Sequence, residues 1–447
     1  MTGADAGGPG LTPRADAWTR AVLGPPPGAG RGGPTGPGGR ATREATLADL
    51  RQIIRRIENR HGPRPAAEPV ERIVGGEVVE TGAGTVLVAR RDYPLAHRHG
   101  RVALEDAFSG PPHALGVLTP PGEPAAEPRR LLFVDTETTG LAGGTGTYAF
   151  LVGIGAVEGD RLVVTQYFMR DLDEEPALLA AIAPRLERAS GVVTFNGSGF
   201  DVPLLETRFI LARRRWPATG GHVDLLRPAR RVWLGHLPDC RLSTLERQAL
   251  GFARADDVPG AMIPALYFQF LRTRQARPLA RVFAHNRDDV LSLVALLGWF
   301  CRALGPARLS LPPLELSGVG RLLERVDLDR SLACYRAALD AGLDGGAALW
   351  TCLRLAAWEK RRERWDAACA LWQSAVAHGV FDPRPWEELA KYHEHRRRDF
   401  AVARDLVERA IGVAGGGGAR GRPGGGARTA RHARRPPEPA AAPPGGR

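Results

Sequence analysis

The sequence is poor in cysteine. Five are present in 447 residues, an odd number, with no CxxC pair among Cys240, Cys301, Cys334, Cys352 and Cys369. That argues against a disulfide framework and against a cysteine-ligated zinc site. No run of about 18 apolar residues occurs, so no transmembrane helix and no membrane partner are expected. The first residues also lack the basic-then-apolar order of a signal peptide, and a reducing, cytoplasmic setting follows as the expectation. A glycine run, Gly143 to Gly146, has no GK[ST] ending and is not read as a P-loop. A tight turn accounts for it as well as a contact to a phosphate does.

What is present is a hydrophobic content of 43%, ample for a packed core, over a length that suits two or three domains. The ends differ from the middle. Residues 1–40 and 413–447 are dominated by Gly, Pro and small residues, which bury too little apolar surface to offset chain entropy, so both ends are expected to be disordered. The net charge is +12, but from Gly412 onward seven arginines face one glutamate, a net of +6 and half the excess. Such a tail can attract phosphate without sequence preference, or simply solubilise the chain.

The chain is organised around LLFVDTETTG, residues 131–140. Leu131 to Val134 read as a buried strand ending at Asp135, and alternation places Asp135 and Glu137 on one face. Two adjacent acids repel unless a cation lies between them, and a hard divalent metal such as Mg²⁺ or Mn²⁺ prefers carboxylate oxygen. Before this stretch, Leu47, Leu50, Ile53, Ile54 and Ile57 recur at helical spacing, Glu77 to Arg90 reads as two short strands around Gly82-Ala83-Gly84, and Pro120 to Pro128 reads as a linker. After it, Tyr148 to Ala156 and Arg161 to Phe168 read as strands joined at Glu158-Gly159-Asp160. A helix (Pro176 to Arg188), a strand (Gly191 to Phe195) and a second helix (Val202 to Arg214) follow. Hairpin-linked strands followed by strand and helix alternation predict an α/β fold, a mixed sheet with helices on its faces.

Two further stretches supply partner acids. FNGSGFD, residues 195–201, opens from a strand through small residues into a helix whose first turn carries Asp201. By itself this also reads as an ordinary helix cap at Asp201 or Ser198. In a later helix, running to about Phe300, His285 and Asp289 stand at i and i+4 and share a face, while Asp288 points elsewhere. By itself that reads equally as a surface ion-pair cluster with Arg281 and Arg287. Together the three stretches give four carboxylates and one imidazole, the set that two-metal phosphodiester hydrolysis requires.

These motifs carry a resemblance. DTETTGLAGGTGTYAFLVG (135–153), FNGSGFDVPLL (195–205), DLLRPARRVW (224–233), DVPGAMIPALYF (257–268) and HNRDDVLSL (285–293) resemble the DEDD exonucleases of the ribonuclease-H-like superfamily. Within them the chain resembles most closely the bacterial YprB-type family, which joins such a domain to C-terminal tetratricopeptide repeats. The likeness implies Asp135, Glu137, Asp201 and Asp289 as ligands of two divalent cations, Mg²⁺ or Mn²⁺, and His285 as general base. Histidine-type members space His and Asp by five residues. Here a histidine stands at the i, i+4 spacing of tyrosine-type members, a pattern the YprB-like group shares. Thr138, Asn196, Arg230 and Arg231 are expected to contact nucleic acid, as parts of the same motifs and of the basic clusters Arg213 to Arg215 and Arg227 to Arg231 with Trp233. A solvated helix end explains those clusters equally well.

From Glu324 to Ile411 the sequence repeats itself. Leu328, Ser331, Tyr335, Ala338 and Leu339 correspond to Trp365, Ala368, Trp372, Ala375 and Val376, then to Phe400, Ala403, Val407, Ala410 and Ile411. The offsets of 37 and 35 are close to the tetratricopeptide period, and small residues alternate with large ones as stacked helical hairpins need. Trp350, Trp358 and Trp386 are expected in that core. The expected organisation is a leader (1–40), an N-terminal helix and small β extension (41–128), a ribonuclease-H-like domain (129–303), helical repeats (318–412) and a basic tail (413–447). The expected function is a metal-dependent 3′–5′ exonuclease acting on DNA or RNA, by family likeness in DNA repair; for the repeats three roles stay open, recruiting a protein partner, steering nucleic acid or capping the catalytic domain. Two alternatives stand beside it: a noncatalytic nucleic-acid-binding or scaffold protein with a vestigial site, and a structure-specific endonuclease.

Overall fold

A computed structural model describes residues 68–416 apart from 112, 121, 123–125, 141–145, 218–219 and 306–309. The helix expected over residues 47–57, both ends for which disorder is expected and most of the glycine run at 143–146 lie outside the described residues. The exceptions at the C-terminal end are residues 413–416, which continue a helix.

A seven-stranded mixed sheet forms in the order β1-β2-β7-β6-β5-β8-β9. Its strands are β1 (Gly76–Thr81), β2 (Gly84–Pro94), β5 (Leu131–Thr138), β6 (Ala149–Glu158), β7 (Arg161–Phe168), β8 (Gly191–Thr194) and β9 (Gly221–Asp224). A separate ribbon pairs β3 (Arg98–His99) with β4 (Val102–Ala103). The hairpins β1-β2 and β6-β7 and the pairs β2-β7 and β5-β6 are antiparallel, whereas β5-β8 and β8-β9 are parallel. Strands paired in parallel are buried on both faces, which explains the continuous apolar runs LLFV in β5 and GVVT in β8. The sheet crosses the boundary expected at residue 128, because β1 and β2 extend its antiparallel edge. β5 is also longer than its apolar run suggests: it continues through Glu137 to Thr138, with a bulge between those two residues in its pairing with β6. A bulge re-aims the side chains next to it.

The helices are α1 (Val70–Val74), α2 (Ala114–Leu118), α3 (Glu175–Arg188), α4 (Asp201–Leu211), α5 (Leu226–Trp233), α6 (Leu242–Leu245), α7 (Ile263–Thr273) and α8 (Leu279–Leu304). Two hydrophobic cores lie on opposite faces of the sheet. One gathers Leu131, Phe133 and Val193 with Val290, Val294 and Leu297 of α8; the other gathers Leu132, Val134 and Val192 with residues of α3, α4 and α7. The central helix α8 approaches β6 closely because β6 carries glycine where they cross. A Cβ at Gly153 would lie 2.3 Å from Asn286 Oδ1, and one at Gly155 would lie 2.7 Å from Val290 Cγ1. Those two glycines set the depth at which α8 presents His285 and Asp289 to the sheet.

The all-helical region follows: α9 (Pro313–Leu323), α10 (Leu328–Asp340), α11 (Gly345–Arg361), α12 (Trp365–Ala377), α13 (Pro383–Tyr392) and α14 (Phe400–Gly416). The sequence repeat maps directly onto it, since α10, α12 and α14 begin at the three corresponding residues Leu328, Trp365 and Phe400. Tyr335 and Trp372, equivalent in the repeat, are both buried, as is Trp386, while Trp350 and Trp358 are only half-buried. α9 joins this region to the sheet domain. Gly318 lets it cross α5 so closely that a Cβ there would lie 2.6 Å from Val232 Cα. Arg321 donates to the carbonyls of Arg231 (2.7 Å) and Val232 (3.1 Å) at the C-terminal end of α5. Leu316, Val319, Leu322 and Leu323 belong to the same core as β5 and α8, so sheet and repeats share one apolar interior.

Candidate active site

The carboxyl end of β5 supplies two acids to the α8 face of the sheet. Asp135 Oδ2 accepts from Asn286 Nδ2 (2.8 Å), and the Asn286 amide oxygen accepts in turn from Gln166 of β7 (2.9 Å). The wholly buried Asn286 thus fixes the rotamer of Asp135 and ties α8 to the sheet. Glu137, His285 and Asp289 each offer one ligand atom, and those atoms lie within 4.8 Å of one another. His285 Nε2 is 3.3 Å from Asp289 Oδ2 and 4.0 Å from Glu137 Oε1. Asp201 begins α4 on the opposite face and reaches the same strand: its Oδ1 accepts from Thr136 Oγ1 at 2.5 Å. Neither Asp201 nor Ser198 caps the helix through its side chain. The four acids and the imidazole, distant in sequence, gather at one end of β5.

Their electrostatics are those of a site short of positive charge. Burial, followed by the charges of Asp289 and Asp201, pushes the Asp135 carboxyl well above its ordinary range. Burial and then Asp135, Asp289 and Asp201 do the same to Glu137. Asp201 is pushed up to about 6, mainly by burial, against its bond from Thr136. Glu137 Oε1 is buried with no hydrogen-bond donor among the described residues, the kind of oxygen that a cation satisfies. Carboxylate oxygen without competing thiolate is the donor set of Mg²⁺ or Mn²⁺, so the residues fit such ions.

Sequence reasoning missed a buried arginine at the rim. Arg254 forks onto Glu246 (2.9 and 2.5 Å) and also pairs with Asp289. Burial alone would lower the pKa of its guanidinium, but Glu246 and Asp289 outweigh this and keep it charged. Glu246 further accepts from Ser292 Oγ (2.5 Å), which is bonded to His99 of the N-terminal extension (2.8 Å). A second omission is Asp257, whose Oδ1 lies 2.7 Å from His285 Nδ1. Arg254 Nη1 is 3.1 Å from the same nitrogen, but Nδ1 cannot donate to one and accept from the other; the shorter bond favours Nδ1–H donating to Asp257, leaving Nε2 facing the acids. Asp257 and Asn286 stand inside the motifs quoted above but carry no spacing rule. Nothing in the sequence marks Arg254.

The residues expected to touch nucleic acid lie apart. Thr138 is buried and its hydroxyl donates to the Gly140 carbonyl (2.8 Å), a bond that any contact through that hydroxyl would have to replace. Asn196 is exposed, with φ of +66°, and its N–H donates to Asp224 (2.8 Å). Asn196 and Arg230 line one cleft with Phe195 and Arg241, whereas Arg231 lines another. Asp288 is engaged by Arg287, and Arg281 pairs instead with Asp256. A cavity of about 800 Å³ lies between the N-terminal extension and α8, lined by none of the site's acids.

Comparison with known proteins adds the following. A family model described as the RNase_H superfamily matches residues 132–301. The uncharacterized protein YprB of Bacillus subtilis (strain 168) is 31% identical over 342 residues, covering 73% of this chain and 81% of that protein. The family B DNA polymerase of the hyperthermophilic archaeon Pyrobaculum calidifontis is 17% identical with a TM-score of 0.32, covering 47% of this chain and 29% of the polymerase. So loose a likeness carries no argument. No helix among the described residues is long and apolar enough to cross a membrane.

Proposed function

The chain belongs to the YprB family and contains a domain of the RNase H superfamily, and from that premise we propose that it is a metal-dependent 3′–5′ exonuclease on nucleic acid. The single observation that carries this reading is the gathering of four carboxylates on β5, α4 and α8, three of them with raised proton affinity. A binding module gains nothing from buried acids that repel one another.

In this reading Asp135, Glu137, Asp201 and Asp289 would hold two divalent cations. When bound, such cations supply Lewis acidity toward a water and toward the leaving oxygen. Asn286 keeps Asp135 turned into the site, and Thr136 does the same for Asp201. His285 accepts the proton of the attacking water at Nε2, with Asp257 holding the ring through Nδ1. The water oxygen bonds to phosphorus, the bond from phosphorus to the 3′ oxygen breaks, and that oxygen leaves protonated by solvent. A nucleoside 5′-monophosphate is released and the shortened strand keeps a 3′ hydroxyl.

The test is a panel of end-labelled DNA and RNA strands, single-stranded, duplex and nicked, with Mg²⁺ or Mn²⁺. Progressive loss of 3′ nucleotides, abolished by Asp135→Ala or Asp289→Ala and by a 3′ block, is expected. Internal cutting of the blocked strand would replace this reading with an endonuclease, and activity retained in either variant would reject the site.

A further inference from the structure

Beside the acids is a second cleft, of about 420 Å³, that none of the chemistry above uses. It is built by three parts of the chain: Val117 to Pro120 from the N-terminal extension, α5 and β9 from the sheet domain, and Leu322 to Val326 at the end of α9. Three arginines line it, Arg227 and Arg231 one turn apart on α5 and Arg325 from the all-helical region. All three are exposed, and none has a carboxylate within 4.0 Å among the described residues. Among the described residues Arg227 Nη2 contacts Ser198 Oγ, at 3.4 Å. Arg170, Arg208, Arg254 and Arg274 of the same domain are held by carboxylates, whereas these three are not, and three such guanidinium groups lining one cleft suit an anion.

One acid does border the cleft. Asp224 is already saturated: it accepts from the N–H groups of Asn196 (2.8 Å), Ser198 (3.1 Å) and Leu226 (3.1 Å) and from Ser198 Oγ (2.5 Å). Its oxygens hold the 196–198 loop in shape and are committed to those four donors.

The place of the cleft says which anion. Ser198 lines it, and Asp201, three residues on, belongs to the acid cluster. In the sheet, β9 lies two strands from β5, roughly 10 Å at the usual strand spacing. We propose that this cleft is a phosphate subsite for the substrate strand, holding backbone phosphates upstream of the terminal bond. The enzyme therefore takes a polynucleotide rather than a mononucleotide ester, and the all-helical region contributes directly to substrate binding through Arg325. This rests on the exonuclease reading for its substrate but is tested separately from it. The tight seating of α9 on α5 gives Arg325 its fixed position opposite Arg227 and Arg231.

The test is binding of a fluorescent single strand of about 20 nucleotides to the full chain in EDTA, where cleavage plays no part, across a salt series. The variants are Arg227→Ala, Arg231→Ala and Arg325→Ala, singly and combined. Each should lower the slope of log affinity against log salt by about 0.7, and the triple variant by about 2, which at 0.1 M salt is roughly 100-fold weaker binding. Thermal melting should be unchanged, because all three side chains are exposed. An unchanged slope in the triple variant would overturn the proposal. So would equal competition by thymidine monophosphate or inorganic phosphate, which would make the cleft a site for a small anion. Arginine-dependent binding by a protein that cuts nothing would sink the exonuclease reading and leave the cleft standing. Cleavage with arginine-independent binding would do the reverse.

Discussion

Asp201→Asn probes the charge balance of the site most sharply. The carboxyl of Asp201 is only 7% exposed and its pKa is pushed up to about 6 by burial, from an ordinary 3.8. An acid that binds its proton more tightly folded than unfolded favours the fold at low pH. That advantage is full below the unfolded pKa and is lost as pH rises through the folded one. The gap of about 2 pH units corresponds to roughly 3 kcal/mol of strain in the ionised, metal-free protein. Asparagine keeps the shape and can accept from Thr136, but carries no charge. In EDTA near pH 7.5 the variant should therefore be more stable than the parent by up to about 3 kcal/mol, and the difference should vanish at about pH 4. Saturating Mn²⁺ should close most of that gap: an ion at 100 times its dissociation constant stabilises the parent by about 2.7 kcal/mol, and the variant by less. Urea unfolding followed by tryptophan fluorescence, with and without Mn²⁺, reads all four values. A variant less stable than the parent in EDTA at neutral pH, or equal gains from Mn²⁺ in both, would refute the reasoning.

Other changes probe the supports. Arg254→Met should cost about 3–5 kcal/mol in urea unfolding, since it strands Glu246, whose side chain is 2% exposed, and the double variant with Glu246→Gln should recover much of that. Gly153→Ala should push α8 off β6 at Asn286, costing about 1–3 kcal/mol and lowering kcat by more than the loss of folded protein explains. Tyr267 stacks on Phe150 with ring centroids 3.9 Å apart, and its buried hydroxyl has no partner among the described residues. Tyr267→Phe should leave stability unchanged within about 1 kcal/mol, or raise it slightly.

Much of the sheet was legible because period-2 patterns and turn residues are local. The hairpins at Gly82-Ala83-Gly84 and Glu158-Gly159-Asp160 fell where expected, and the 37- and 35-residue offsets located the starts of α10, α12 and α14. What local pattern cannot convey is which strands pair at distance. Nothing in Glu77 to Arg90 shows that it completes the sheet of the later domain, because that pairing depends on β7, some 70 residues on. The strand end at Asp135 was misplaced because the apolar run stops there while the backbone ladder with β6 continues. Spacing put His285 and Asp289 on one face of a helix. It could not bring in Arg254 or Asp257, whose positions come from a loop that packs against that helix only in three dimensions. Adjacent Arg230 and Arg231 were grouped by sequence, yet helix geometry sends them into different clefts.

The central claim is that these four acids are a seat for divalent cations. Counting Mn²⁺ bound to the purified full chain, by electron paramagnetic resonance of the free ion, tests it without reference to any substrate. The account predicts two ions per chain, with loss of both in Asp135→Asn and of at least one in Asp289→Asn. A parent protein that binds no Mn²⁺, or variants that bind as many ions as the parent, would contradict it.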